Sequence, residues 1–152
     1  MKLIVDANIV FCAILNTNGK IGDLLMNSRK QFKFIAPEFL RIEVAKHYTK
    51  LAKISGLSVA EIQESSFHIF QSIQFISEEQ IKQSSWGSAS KILHDIDPND
   101  TPYLAFAKHF RCKIWSGDRQ LAKGLHKKGI NVILNTEEVY QLRTQNEAKK
   151  RG

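Results

Sequence analysis

KIWSGDRQL, residues 113–121, opens with a short apolar run that halts at Ser116-Gly117 and meets a carboxylate, Asp118. The other end of the chain repeats the arrangement: in KLIVDANIV, residues 2–10, Leu3-Ile4-Val5 runs straight into Asp6. Apolar residues in succession, without polar alternation, fit strands buried on both faces. Such strands belong to parallel sheets, where the functional crevice lies beyond the carboxyl ends of the strands. Two strands that each end in an acid therefore point to a fold and to a place within it.

Working outward, three further runs read as strands: 32–35 (FKFI), 73–76 (IQFI) and 131–134 (NVIL), beside 2–5 and 112–115. Helical stretches fall between them, at about 20–30, 38–54, 58–71, 78–94, 101–110, 119–128 and 137–149. Pro37 stands just ahead of the second, where a missing N–H is tolerated. Ser58 and Thr136 are placed as N-caps, and Ser77 with Gln80 has the capping-box spacing. Strands alternating with helices require crossover connections. The expectation is an α/β chain, a three-layer α/β/α sandwich around a mostly parallel five-stranded sheet. One domain is expected over residues 1–142, with the basic stretch 143–152 (RTQNEAKKRG) as a polar C-terminal tail.

Composition limits the function classes. A chain of 152 residues with 43% hydrophobic and 24% charged residues reads as one soluble globular domain. It has no run of 18 apolar residues, so no membrane span is expected, and Met1-Lys2 leads into a strand without a signal-like segment. Cys12 and Cys112 show no metal-pair spacing and read as buried thiols, which favours a cytoplasmic location. The net charge of +7 favours an anionic partner. No GxxxxGK, GxGxxG or GxSxG occurs, which removes the usual nucleotide and serine-hydrolase sites.

Two further acidic stretches matter. In HDIDPNDTPYLAFAKHF, Asp95, Asp97 and Asp100 crowd around Pro98, and a helix begins near Thr101. Orphan N–H groups at a helix start can hold Asp100 in place. In PEFLRIEVAKHYTKLAKI, Leu40, Val44, Tyr48 and Leu51 form one apolar face, with Glu43 at its polar edge and Lys46, Lys50 and Lys53 following. An acid beside a rail of lysines could track phosphates.

The four acids, Asp6 in IVDANIV, Glu43 in the middle of a helix, Asp100 in DPNDTPYLAFA and Asp118 in WSGDRQL, resemble the set carried by PIN-domain nucleases. The resemblance spans nearly the whole chain, and the DPND and SGD forms are similar to the bacterial and archaeal branch that includes VapC-type toxins. It implies a PIN-like fold and cleavage of RNA phosphodiester bonds with Mg²⁺ or Mn²⁺. It also implies a possible homodimer and, for a toxin of a type II toxin–antitoxin pair, a cognate antitoxin. On this resemblance Asp6, Glu43, Asp100 and Asp118 are the catalytic set. Asp6 and Asp100 are the main metal ligands, Asp118 completes them, and Glu43 orients a water. Asp97 is an auxiliary acid, Ser116 and Asn8 support the ligands, and Lys46, Lys50 and Lys53 contact substrate.

Elementary electrostatics makes the ion necessary. Two carboxylates about 4 Å apart repel by roughly 4 kcal/mol at an effective dielectric near 20. Converging acids therefore protonate or splay unless a cation sits among them. All-oxygen donors suit Mg²⁺ or Mn²⁺. A dehalogenase-like phosphatase needs an aspartate two residues after the first, where this chain has Asn8. A receiver domain needs an acid after its third strand and a lysine after its fifth, where Ser77 and Asn135 stand. Two alternatives stay open at this point: an inactive PIN-like RNA- or protein-binding module, and a housekeeping RNA-processing nuclease.

Overall fold

The computed structural model describes residues 1–151, with side chains through Lys149; Gly152, the end of the expected tail, lies outside the described residues. The chain runs β1 (Lys2–Val5), α1 (Ala7–Leu15), α2 (Lys20–Asn27), β2 (Lys33–Pro37), α3 (Phe39–Lys46), α4 (Tyr48–Ser55) and α5 (Val59–Phe70). It continues through β3 (Ile73–Ile76), α6 (Gln83–Leu93), α7 (Thr101–Phe110), β4 (Lys113–Trp115), α8 (Arg119–Lys127), β5 (Ile133–Leu134) and α9 (Thr136–Arg151). The five strands form one sheet in the order β3-β2-β1-β4-β5, and every neighbouring pair is parallel.

The alternation of side chains along each strand divides the core in two. Leu3, Val5, Phe34, Ala36 and Trp115 point to the layer that holds α1, α2, α5 and α9. Ile4, Ile35 and Ile114 point to the layer that holds α6, α7 and α8. Both faces are covered, which is why the central strands carry no polar alternation. Trp115 is fully buried, stacks near Phe34 and donates its indole N–H to Thr136 Oγ1 at 3.1 Å. Trp86 is half-buried against Phe106.

Several expectations are corrected. The run 7–15, given no element by the sequence, is α1: Ile9, Val10, Ala13 and Ile14 are buried in one layer, but the outward positions Phe11, Cys12 and Leu15 are apolar too, so no helical period stands out. The single helix expected over 38–54 is two, because the chain breaks at His47 between α3 and α4. The helix expected at 78–94 begins later, after a 3₁₀ turn at Glu78–Gln80. Cys12 is exposed on α1 and Cys112 is half-buried; neither is paired. The helix expected over 137–149 is α9, which carries the basic stretch from residue 143 as its end, and Arg143 reaches back to Asp23 Oδ2 at 3.2 Å and Ser28 Oγ at 3.3 Å. Among the described residues no single helix is long and apolar enough to cross a membrane.

Candidate metal centre and active site

The sheet order turns at its middle. From β1 the chain moves to one side through β2 and β3, and later returns to β4, on the other side of β1. Ligand sites of open parallel sheets form at such a reversal, past the carboxyl ends of the strands. Val5 pairs with Trp115, so the residues after them leave the sheet side by side. Asp6 is 5% exposed and caps α1, its Oδ1 accepting from Ile9 N–H at 3.0 Å. Asp118 caps α8, its Oδ1 accepting from Leu121 N–H at 3.0 Å. The buried Ser116 Oγ accepts from Asp118 N–H at 3.1 Å and fixes the turn between strand and helix.

A third segment arrives from the layer of α6 and α7. Asp97 Oδ1 accepts from Asn99 N–H at 3.0 Å and caps a 3₁₀ turn, Pro98–Asp100, that leads directly into α7. Carboxylate oxygens of Asp97, Asp100 and Asp118 all lie within 4.8 Å of one another. Asp100 Oδ2 is buried there and has no hydrogen-bond partner. Burial pushes the Asp100 carboxyl up to about 6, with the charges of Asp97, Asp118 and Asp6 adding to it. Burial also raises Asp6; the Ser116 hydroxyl and Ile9 N–H offset part of this, and Asp118 pushes the same way as burial. Three half-buried carboxylates sharing one spot, one with an orphan oxygen, fit a divalent cation with oxygen donors. Asp6 stands outside this triangle of oxygens but close enough to perturb it.

Glu43 enters from α3. It lines a cavity of about 380 Å³ together with Asn8, His47, Asn99, Asp100 and Tyr103. Its carboxylate is held loosely, 3.5 Å from Lys46 Nζ and 3.8 Å from His47 Nε2. Asp6, Asn8, Glu43, Asp97, Asp100, Ser116 and Asp118 thus gather at one end of the sheet. Lys46 is on α3 with Glu43, and Lys50 and Lys53 lie on α4, beyond the break at His47. Asp95 is exposed and paired with Lys128, away from the cluster.

Tyr103 was not singled out by the sequence. It is 4% exposed, and its hydroxyl is buried without a hydrogen-bond partner. Burial and the charges of Asp6 and Asp100 hold that hydroxyl well above its ordinary value, so it keeps its proton. The signal was present: Tyr103 follows Asp100 by three residues at a helix start, a spacing that brings both to one face. Asn99, in the same cavity, lay unremarked inside the turn.

A wholly parallel sheet whose adjacent central strands both end in carboxylates, beside a cluster of Asp97, Asp100 and Asp118, defines an α/β protein with an acidic site past the strand ends. The chain belongs to the PIN-domain family, whose model matches residues 4–150. PIN domains are generally nucleases that use divalent metals, and the acidic cluster agrees with that membership. In fold the chain is similar to a chain from the crystal structure of VapBC2 from Rickettsia felis bound to a DNA fragment from their promoter. That match has a TM-score of 0.66 at 14% identity and covers 89% of this chain and 98% of that one. Among curated proteins no sequence matches.

Proposed function

We propose that this protein is a metal-dependent endoribonuclease that hydrolyses RNA phosphodiester bonds, and that it is the toxin of a type II toxin–antitoxin pair acting in the cytoplasm. The observation that carries the reading is the orphaned Asp100 oxygen within a triangle of carboxylates, in a chain of a nuclease family. Asp97, Asp100 and Asp118 would hold Mg²⁺ or Mn²⁺, with Asp6 beside them. Such an ion supplies a lowered water pKa and neutralises charge that builds on a phosphate.

The chain's own residues do the rest. Ser116 and the cap bonds of Asp6 and Asp118 keep these carboxylates from collapsing onto neighbouring cations. Glu43, across the cavity from the cluster, is placed to accept a proton from a water in that space, and Asn8 and Asn99 orient that water. Tyr103 offers a buried hydroxyl donor for an anionic oxygen. An antitoxin partner is supported by the fold-level likeness to VapBC2. Homodimerisation follows from the family resemblance and is read by light scattering.

The test is incubation of the purified protein with RNA in EDTA, Mg²⁺ or Mn²⁺, beside an Asp6→Asn variant. Cleavage with either metal, lost in EDTA and in the variant, is expected. Activity that survives both would overturn the mechanism.

A further inference from the structure

A second feature adjoins the acidic centre. A cavity of about 400 Å³ reaches from Ser116 and Asp118 past Arg119 to Ala122, Ile133 and Glu138. A larger one, of about 560 Å³, shares those last three residues and continues along α8 to Lys123, His126 and Lys127, with Lys113 on its far side. The two form one groove along the open edge of the sheet, where β5 is only two residues long.

Cations outnumber acids along the groove, Arg119, Lys113, Lys123 and Lys127 against Asp118, Glu137 and Glu138. Arg119, Lys123 and Lys127 recur every four residues on α8 and are exposed. Among the described residues neither they nor Lys113 form an ion pair. On the opposite wall Glu137 is paired with Lys20, and Glu138 accepts from Asn135 N–H at 3.1 Å while keeping its charge. Four residues of helix rise about 6 Å, the step between successive phosphates of an extended single strand. The floor, with Ile130 and Ile133, is apolar and suits sugars and bases rather than further charge.

We infer that the α8–β5 groove carries the flank of a single-stranded RNA beyond the cleaved bond, with Arg119, Lys123 and Lys127 each meeting a successive phosphate. This rests on the nuclease reading and extends it, moving the substrate track from the lysines of α3 and α4 to α8. These cations position and do not specify, because phosphate contacts carry no sequence information.

Binding of a labelled, unstructured 12-nucleotide RNA is measured by fluorescence anisotropy across salt concentrations, in an Asp100→Asn background that leaves the strand intact. The Lys123→Gln/Lys127→Gln pair is expected to weaken binding at least tenfold and to flatten the slope of log K against log salt by about 1.4, two contacts on a single strand. The matched pair Lys30→Gln/Lys91→Gln, exposed elsewhere, is expected to leave both unchanged. Cleavage of a substrate that ends just past the scissile bond should be insensitive to the α8 pair. Unchanged RNA binding in the α8 pair, beside a wild type that cleaves RNA, overturns the groove, leaves the nuclease reading standing and points to a polypeptide in that place. A wild type that neither binds nor cleaves RNA overturns both.

Discussion

Replacing Asp100 with asparagine should stabilise the metal-free protein at neutral pH. The Asp100 carboxyl is raised from 3.8 to about 6 in the folded state, by burial first and by Asp97, Asp118 and Asp6 next. A folded value above the unfolded one means that this residue's stabilising contribution is complete below pH 3.8 and is lost as pH rises through about 6. The full difference corresponds to about 3 kcal/mol at pH 7.5. Half of the group faces solvent, and screening reduces this to about 1–2 kcal/mol. The asparagine amide carries no charge and can donate to the neighbouring carboxylates, so Asp100→Asn recovers that energy. For a domain of this size the gain is about 3–6 °C in Tm. The assay is thermal unfolding in EDTA from pH 4.5 to 7.5, followed by far-ultraviolet circular dichroism. The variant should melt above wild type at pH 7.5, and the gap should close toward pH 4.5. Saturating Mn²⁺ should reverse the order, since a ligand at 100 times its Kd adds about 2.7 kcal/mol to wild type alone. An Asp100→Asn protein that melts below wild type in EDTA at pH 7.5, or a gap that ignores pH, would refute the reasoning.

Asp118→Asn should keep the cap on Leu121 N–H and melt near wild type, whereas Asp118→Ala should lose about 1 kcal/mol; urea unfolding separates them, and both should abolish Mn²⁺ binding by calorimetry. Ser116→Ala removes the acceptor of Asp118 N–H and should weaken Mn²⁺ affinity by about 10–100-fold while the fold survives; unchanged affinity would show the turn to be self-sufficient. Tyr103→Phe deletes a buried hydroxyl without a partner, so stability should move by less than about 1 kcal/mol; RNA cleavage should fall about tenfold, and full activity would reduce Tyr103 to packing. Trp115→Ala empties the centre of one core layer and should cost about 3–5 kcal/mol, read as the shift in the denaturant midpoint.

The parts of this protein that were legible in its sequence are those where one physical rule acts alone. Leu3-Ile4-Val5 and Ile114-Trp115 announce doubly covered strands because nothing polar interrupts them, and Asp6 and Asp118 stand out because a charge follows each at once. Where two rules compete, reading fails. Residues 7–15 form a helix, but its outward positions Phe11, Cys12 and Leu15 are apolar like its buried ones, which erases the period that would reveal it. At His47 the apolar series Leu40, Val44, Tyr48, Leu51 runs on across a break, because packing against one layer is satisfied by two short helices as well as by one. The acidic centre was partly visible. Asp97 was read as an auxiliary acid, yet its oxygen stands with those of Asp100 and Asp118, because the turn that begins at Asp97 also delivers Asp100. Tyr103 was within reach through its spacing from Asp100, whereas the basic stripe on α8 was hidden because it gains meaning only from β5 and the start of α9, which form the other wall of its groove.

The order of the strands has a consequence for how the molecule comes into being. β1 is made first, but its second neighbour, β4, is delivered only when residues 113–115 have been translated, and Asp118 follows them. A chain that stops at residue 100 carries Asp6, Glu43, Asp97 and Asp100 but lacks β4, which pairs one edge of β1, and Asp118, which completes the cluster. The nascent polypeptide therefore lacks the complete acidic cluster until residue 118 emerges, and a chain cut short before β4 carries neither the Asp118 carboxylate nor the strand that brings it beside Asp6.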